Sequence, residues 1–238
     1  MSRKILVVGD IHGRDMWKSI VVNENNEFDK FIFLGDYFDS REGIQEHDQW
    51  WNFEDILEFK NKYPDKVTLL FGNHDYHYLP STHDKYSLFD YRLNRRIDNQ
   101  LVKLIQDRTF QLIDIEGDYL FSHAGVSQTF LDRNKLTLEN LNDKFRMNPG
   151  ILNFGNNSSG SGTGDDPTQS PIWIRPMSLE SVRVDGYIHV IGHTQVKNGI
   201  EILKDRGMIL TDTLSTNPQY LKLVETDGEY TEHIVQIP

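Results

Sequence analysis

Short apolar runs recur along the chain, and five of them end on a glycine or small residue followed at once by polar ones. KILVV leads into GDIHG, KFIFL into GDYFD, VTLLF into GNHD, YLF into SHAG and YIHVI into GHT. Brief continuous apolar runs bounded by turn residues read as strands buried on both faces. They predict strands at 4–8, 30–34, 66–71, 118–122 and 188–191. Between them lie helical stretches: residues 14–25, and residues 45–63, where His47, Trp50, Trp51, Phe53, Ile56, Leu57 and Phe59 form a crowded apolar face before Pro64 forces an exit. Further helices are predicted at 94–107 and at 137–146, the latter with Thr137 as N-cap and Asn140 three positions on. Residues 110–115 and 118–122 read as a hairpin turning at Glu116-Gly117-Asp118. The last part alternates strands at 200–204, 208–212, 219–224 and 230–236.

Two segments carry no period. Residues 76–92, YHYLPSTHDKYSLFDYR, are rich in tyrosine and predict a long loop or irregular cap over a site. Residues 154–171, FGNNSSGSGTGDDPTQSP, are too rich in Gly, Ser and Asn to bury much apolar surface and predict a flexible loop. The islands on either side of that loop belong to one site, so a single domain over 1–238 is expected. If the strands share a sheet, their C-terminal ends bring the islands to one edge.

Composition narrows the chemistry. The 238 residues are enough for a large core, and a formal net charge of -11 argues against a sequence-independent grip on nucleic acid. No cysteine is present, which excludes disulfides, thiolate metal sites and cysteine nucleophiles. No apolar run approaches a membrane span, and the first is too short for a signal peptide. A cytoplasmic protein without a membrane partner is the expectation.

The islands supply Asp10, His12, Asp36, Asn73, His123 and His193, all oxygen or imidazole donors. That set suits two divalent ions, manganese first, with iron, zinc or nickel also compatible. Asp10 and His12 share one tight turn and can reach the same ion; Asp36 has two oxygens and can bridge; Asn73, His123 and His193 can complete the second ion. Two such ions activate a bridging hydroxide for in-line attack on phosphorus. His74 follows Asn73 and points elsewhere if the backbone is extended, free to protonate a leaving oxygen. Asp39 can hold the His74 ring and raise its pKa, or cap the following helix. Arg175 can clamp phosphoryl oxygens.

GDIHG, GDYFD, GNHD, SHAG and GHT together resemble the signature of the calcineurin-like metallophosphoesterases, nearest to the serine/threonine phosphoprotein phosphatase branch and its bacterial and phage relatives. The resemblance spans residues 9–194. It implies a mixed α/β fold, a four-layer αββα sandwich with a dimetal centre between two mixed sheets. It also implies that Asp10, His12 and Asp36 bind one ion, that Asp36, Asn73, His123 and His193 bind the other, that His74 and Asp39 form the proton-donor pair, and that Arg175 binds phosphate. Three positions depart from the pattern. Ser40 and then Arg41 follow Asp39, where those phosphatases have arginine directly, so Arg41 serves with a shifted reach or one phosphate contact is missing. Asp75 stands where they have glutamate. Gln195 stands where phosphodiesterase branches have a second histidine.

The function expected is a metal-dependent phosphatase acting on phosphomonoesters, including phosphoproteins. The alternative is a nucleotide hydrolase acting on dinucleoside polyphosphates or cyclic phosphodiesters. A silent binding scaffold is disfavoured by retention of six ligands and His74. Tyr76, Tyr78 and Tyr86 can stack a nucleobase or simply pack their loop, and Arg92, Arg95 and Arg96 make a basic spot near the site or a solvated helix start. His189 reads as packed or at an edge; His47, His77, His83 and His233 read as surface residues.

Overall fold

The computed structural model describes residues 2–80, 82, 85–154 and 165–238. Its strands are β1 (Arg3–Val8), β2 (Lys30–Phe33), β3 (Val67–Leu70), β4 (Phe110–Gln111), β5 (Ile113–Glu116), β6 (Tyr119–Ser122), β7 (Ile188–Ile191), β8 (Glu201–Leu203), β9 (Met208–Leu210), β10 (Gln219–Thr226) and β11 (Glu229–Gln236). The helices are α1 (Trp17–Asn23), α2 (Glu46–Lys62), α3 (Asn73–Tyr76), α4 (Tyr91–Gln106), α5 (Gln128–Asn134), α6 (Leu138–Met147) and α7 (Pro176–Val182). Six strands form one sheet in the order β11-β10-β1-β2-β3-β4, and five form a second in the order β5-β6-β7-β9-β8. Both are mixed: β1 to β4 run parallel, with β10 antiparallel to β1 and β11 antiparallel to β10 at the edge, while β6, β7 and β9 run parallel between antiparallel β5 and β8.

Strand alternation assigns each apolar side chain to a layer. Ile5, Val7, Ile32, Leu34 and Leu70 point between the sheets, against Phe121, Val190 and Ile209. Their neighbours Leu6, Val8, Phe31, Phe33 and Leu69 turn the other way, into a core with Trp17, Ile20, Phe53, Ile56 and Leu101 of the helices. On the far face of the second sheet, Ile191, Met208 and Leu210 pack with Leu179 of α7. The sandwich expected from the island signature is therefore present, with each of its layers sealed by apolar contact.

Several predicted boundaries move for identifiable reasons. The run 110–115 is not one strand: it breaks at Leu112, where the chain passes from the first sheet to the second. Asn142 makes that break tolerable, its Oδ1 accepting the N–H groups of Leu112 (2.8 Å) and Ile113 (3.2 Å) and its Nδ2 donating to the Ile113 carbonyl (3.0 Å). The first helix starts at Trp17, because Arg14 is taken into the site. α4 starts three residues before the prediction, capped by Asp90, whose carboxylate accepts the Arg92 N–H at 2.7 Å. The short helices α5 and α7 have too few apolar positions to show a period and went unread. At Thr137 and Asn140 the expected cap forms, a reciprocal capping box. Of the Gly/Ser/Asn-rich loop, residues 155–164 lie outside the described residues, as does His83. Residues 165–171 pack against the body: the Asp165 carboxylate accepts the Ser178 N–H at 3.1 Å, and the Pro171 carbonyl accepts the Ala124 N–H at 2.7 Å.

Candidate metal centre

The islands do not leave a single sheet. β1, β2 and β3 of the first sheet run into Asp10, Asp36 and Asn73, and β6 and β7 of the second run into His123 and His193. Face-to-face packing of the two sheets brings both sets of strand ends together. The turns are tight: His12 (φ 46°), Asp36 (φ 53°), Asp39 (φ 68°) and His193 (φ 59°) all adopt left-handed backbone. That conformation costs an L-residue about 1–2 kcal/mol, and such strain gathers where side chains must be aimed. Two glycines are required by close approach. A Cβ on Gly72 would lie 2.2 Å from Asp36 Oδ1, and one on Gly192 would lie 2.1 Å from Asp10 Oδ1.

Backbone donors fix the two aspartates. The His193 N–H donates to Asp10 (2.9 and 3.1 Å to its two oxygens), and the His74 N–H donates to Asp36 Oδ1 at 2.8 Å. Asp36 Oδ2 is left between two imidazoles, 3.7 Å from His12 Nε2 and 3.4 Å from His123 Nε2. The tautomers of those rings follow from their other nitrogens. His12 Nδ1 lies 2.7 Å from the Phe38 carbonyl, and His123 Nδ1 lies 2.9 Å from the Leu34 carbonyl. A carbonyl only accepts, so each Nδ1 carries the proton and each Nε2 presents a lone pair.

His123 Nε2 therefore aims a lone pair at Asn73 Oδ1, 2.9 Å away, and at Asp36 Oδ2. The same Asn73 oxygen lies 2.9 Å from His193 Nδ1. Protonation does not relieve the crowding, because burial holds the pKa of His123 below the ordinary imidazole range. A cation does relieve it: donors bound to one ion at about 2.1 Å stand about 3.0–3.4 Å apart, the spacing seen here. His193 Nε2 is buried without a protein partner. The donor set thus fits two divalent ions. Asp10, His12 and Asp36 could hold one; Asp36, Asn73, His123 and His193 could hold the other.

The electrostatics carry the same mark. Burial, then the charges of Asp212 and Asp36, push Asp10 well above the usual carboxylate range. Burial and Asp36 likewise push Asp212 up to about 6. Asp36 moves the opposite way: burial works against its charge, but His123, His74, His12 and His193 outweigh it and hold its pKa low. Bound cations would stabilise all three carboxylates.

His74 lies beside this cage with Nδ1 2.7 Å from Asp39 Oδ2. Burial opposes its protonated form, yet the charges of Asp36 and Asp39 and the hydrogen bond to Asp39 raise its pKa. Its divergence from Asn73 does not come from extended backbone, as the sequence suggested. Both residues open the short helix α3, where successive side chains turn by a helical step. Asp39 caps no helix, since α2 begins after Gln45.

The cage opens into a cleft of about 330 Å³ lined by Arg14, Arg41, Arg175, Gln195, Asp212 and Ser215 in addition to His74 and five of the six predicted ligands, with His123 buried behind it. Arg175 reaches it by donating from Nη1 to the His193 carbonyl (3.0 Å) and Thr194 Oγ1 (3.2 Å). Arg41 reaches it from an exposed loop. Every predicted site residue is thus gathered in or directly behind one cleft. Arg92, Arg95 and Arg96 are not in it; they are exposed, with Arg92 paired to Asp90 at 3.1 Å and Glu46 at 3.6 Å, the solvated helix start. Tyr76 and Tyr78 are fully buried and pack their loop. His77 is a correction: it is fully buried and not a surface residue. His189 is packed, as read.

Sequence reasoning missed Arg14, Asp75, His77, Tyr78 and Asp212. Arg14 was legible from its place directly after GDIHG. Asp212 follows β9 as the islands follow theirs, but as a lone aspartate in LTDTL it carries no motif.

Comparison with known proteins agrees with this geometry. The family model described as calcineurin-like phosphoesterase matches residues 3–201. A curated relative, the serine/threonine-protein phosphatase 4 catalytic subunit of Eremothecium gossypii, is 33% identical over 129 residues, 52% of this chain and 39% of that protein. The chain thus matches well under half the length of that relative. Among solved structures, a cold-active protein-tyrosine phosphatase of a psychrophilic Shewanella species superposes with a TM-score of 0.62 at 20% identity, covering 98% of this chain and 80% of that one. A protein serine/threonine phosphatase from Saccharomyces cerevisiae, similar to human phosphatase PP5, gives 0.57 at 15% identity with the same coverages, 98% and 80%. These structural likenesses concern the fold. Among the described residues, no helix is long and apolar enough to cross a membrane.

Proposed function

Because the chain belongs to the calcineurin-like phosphoesterase family, we propose that it is a phosphatase that hydrolyses phosphomonoesters, phosphoproteins among them, with two divalent ions. The observation that carries this reading is the pairing of an acceptor-only cage with His74. The cage comprises Asp36 Oδ2, Asn73 Oδ1 and His123 Nε2, and His74 stands beside it with one nitrogen tied to Asp39. When bound, the ions supply a nucleophile at neutral pH and stabilise charge on the phosphoryl oxygens. Manganese is the first choice for a mixed oxygen and imidazole set without sulfur.

The chain's own residues divide the remaining work. Arg175 uses the rest of its guanidinium fork on phosphoryl oxygens while Nη1 stays tied to the His193 segment. Arg41 adds charge from the rim. His74 keeps Nδ1–H on Asp39 and delivers a proton from Nε2 to the leaving oxygen. Burial of Tyr76 and Tyr78 leaves fewer rings for a nucleobase, which favours phosphomonoesters over nucleotides.

The test is a substrate panel with manganese and with a chelator: phosphopeptides, dinucleoside polyphosphates and cyclic nucleotides. Manganese-dependent turnover highest on phosphopeptides is the expected result. A higher kcat/KM on a dinucleoside polyphosphate would replace the phosphomonoester reading with the nucleotide one.

A further inference from the structure

His77 lies in the tyrosine-rich segment, three residues past His74, and takes no part in the cage. Its ring is fully buried. Its Nδ1 accepts the Tyr86 backbone N–H at 3.2 Å, which leaves the ring proton on Nε2. That nitrogen lies in contact with Asp39 Oδ2 at 2.6 Å, beside the same oxygen that His74 Nδ1 meets at 2.7 Å, but off the line of a hydrogen bond and without a hydrogen-bond partner of its own. The Tyr78 hydroxyl donates to the other oxygen, Asp39 Oδ1, and itself accepts the Asp90 N–H at 3.1 Å. Asp39 is thus bonded to His74 and Tyr78, with His77 Nε2 packed against the oxygen that His74 meets. The three donor atoms of Asp39, His74 and His77 stand close enough to hold an ion. The tautomers argue otherwise, because His74 Nδ1 and His77 Nε2 carry their protons beside a carboxylate, the reverse of the lone-pair crowding around Asn73.

We propose that His77 is a positioning residue: together with Tyr78 it locks Asp39, and through Asp39 it fixes the His74 ring with Nε2 presented to the leaving oxygen. The inference rests on the phosphatase reading for its chemistry but not for its geometry. It also gives the aromatic segment a task. Tyr86 stacks on His77 (5.4 Å between centroids, 13° between planes) and meets Trp173 edge-on at 4.5 Å. Trp173 stands two residues before Arg175, so one run of packed rings connects the support of the proton donor to the segment carrying the phosphate arginine. A carboxylate at a backbone position with φ 68° needs such support if its rotamer is to stay fixed.

Two variants separate positioning from bulk structure. His77→Leu keeps the volume and removes the N–H; His77→Gln keeps a donor where Nε2 stands. On metal-loaded protein, His77→Leu should lose ~10–100-fold in kcat on phenyl phosphate and under ~3-fold on p-nitrophenyl phosphate, whose leaving group needs little protonation. KM and metal content should hold, and His77→Gln should recover most of the loss. An equal loss on both substrates, or no recovery in the folded glutamine variant, would overturn the proposal. Should His77→Leu fail to fold, Tyr78→Phe removes the hydroxyl that donates to Asp39 and should show the same leaving-group dependence. A second readout does not need turnover. In ¹⁵N-histidine spectra of the zinc-loaded protein, the downfield proton on His74 Nδ1 should persist in His77→Gln and broaden or vanish in His77→Leu. Its persistence unchanged in His77→Leu would overturn the proposal even if no phosphatase substrate were found, whereas loss of the phosphatase reading alone would leave this signal as expected.

Discussion

Asp75 holds Asp36 in place: its Oδ2 accepts the Asp36 backbone N–H at 2.9 Å, joining the third island to the second. The same oxygen accepts the Gly72 N–H at 2.9 Å, and Oδ1 accepts the Tyr37 N–H at 2.8 Å. Burial and then the charge of Asp36 raise the Asp75 pKa, so these three donors offset an unfavourable position. Asp75→Ala would leave them buried and unpaired, at ~1–3 kcal/mol each. The expected loss is at least ~3 kcal/mol, or on the order of 10 °C in Tm for a chain of this size. Divalent-ion affinity should fall as well, because Asp36 loses the tie that holds its left-handed turn. Thermal melts and metal analysis check both; a Tm within ~2 °C of the parent would show that the turn stands without Asp75.

Asp36→Asn tests the bridge. Oδ1 is committed to the His74 N–H, and Oδ2 lies between His12 and His123. Removing the charge should weaken both metal positions together and lower turnover by more than ~100-fold, beyond what loss of a supporting partner of a ligand costs. Metal content by elemental analysis would fall below one ion per chain at modest free metal. Two tightly held ions with parent-like turnover would rule out the bridging role.

The legible part of this molecule is the part with period and punctuation. Buried strands announce themselves as apolar runs, and a glycine before a ligand marks the turn, so the cage residues could be collected from sequence. That they leave two sheets was not visible in the runs themselves, because β3 and β6 look alike on paper. The supporting residues were hidden for a different reason. Asp75 acts on backbone N–H groups 38 and 39 residues earlier, and His77 acts through Asp39, contacts that leave no local spacing to read. His77 in particular looked like one more polar residue in an aperiodic segment. Its burial follows from Tyr86 and Phe89 closing over it, which only the folded chain reveals.

His74→Asn separates proton donation from metal binding. The ring is not part of the acceptor cage, so metal content should be retained. Loss of a general acid costs ~10²–10⁴-fold where the leaving group is a poor one. Alkyl and phenyl phosphates should therefore suffer far more than p-nitrophenyl phosphate, read as a steeper dependence of kcat/KM on leaving-group pKa. Parallel lines for parent and variant would remove His74 from the role.

His189 gives a pH dependence away from the metal site. Its ring is fully buried on β7, with Nε2 donating to the Val184 carbonyl at 3.0 Å and Nδ1 facing the Val126 N–H at 3.4 Å. Burial lowers its pKa from 6.5 to about 4; the bond to Val184 and the charge of Asp185 oppose that shift, and Arg183 adds to it. Folding thus favours the neutral ring. Above pH 6.5 both folded and unfolded chains carry it neutral and nothing is lost. Between pH 6.5 and about 4 the unfolded chain binds the proton and the folded chain does not, so stability falls as pH falls. The full difference approaches about 3 kcal/mol below pH 4. His189→Gln keeps a donor for Val184 and cannot titrate in this window. Urea midpoints at pH 7.5 and pH 4 should drop less for the variant than for the parent, by an amount set by that difference. Equal drops in the two proteins would mean that His189 binds its proton as readily in the fold as outside it.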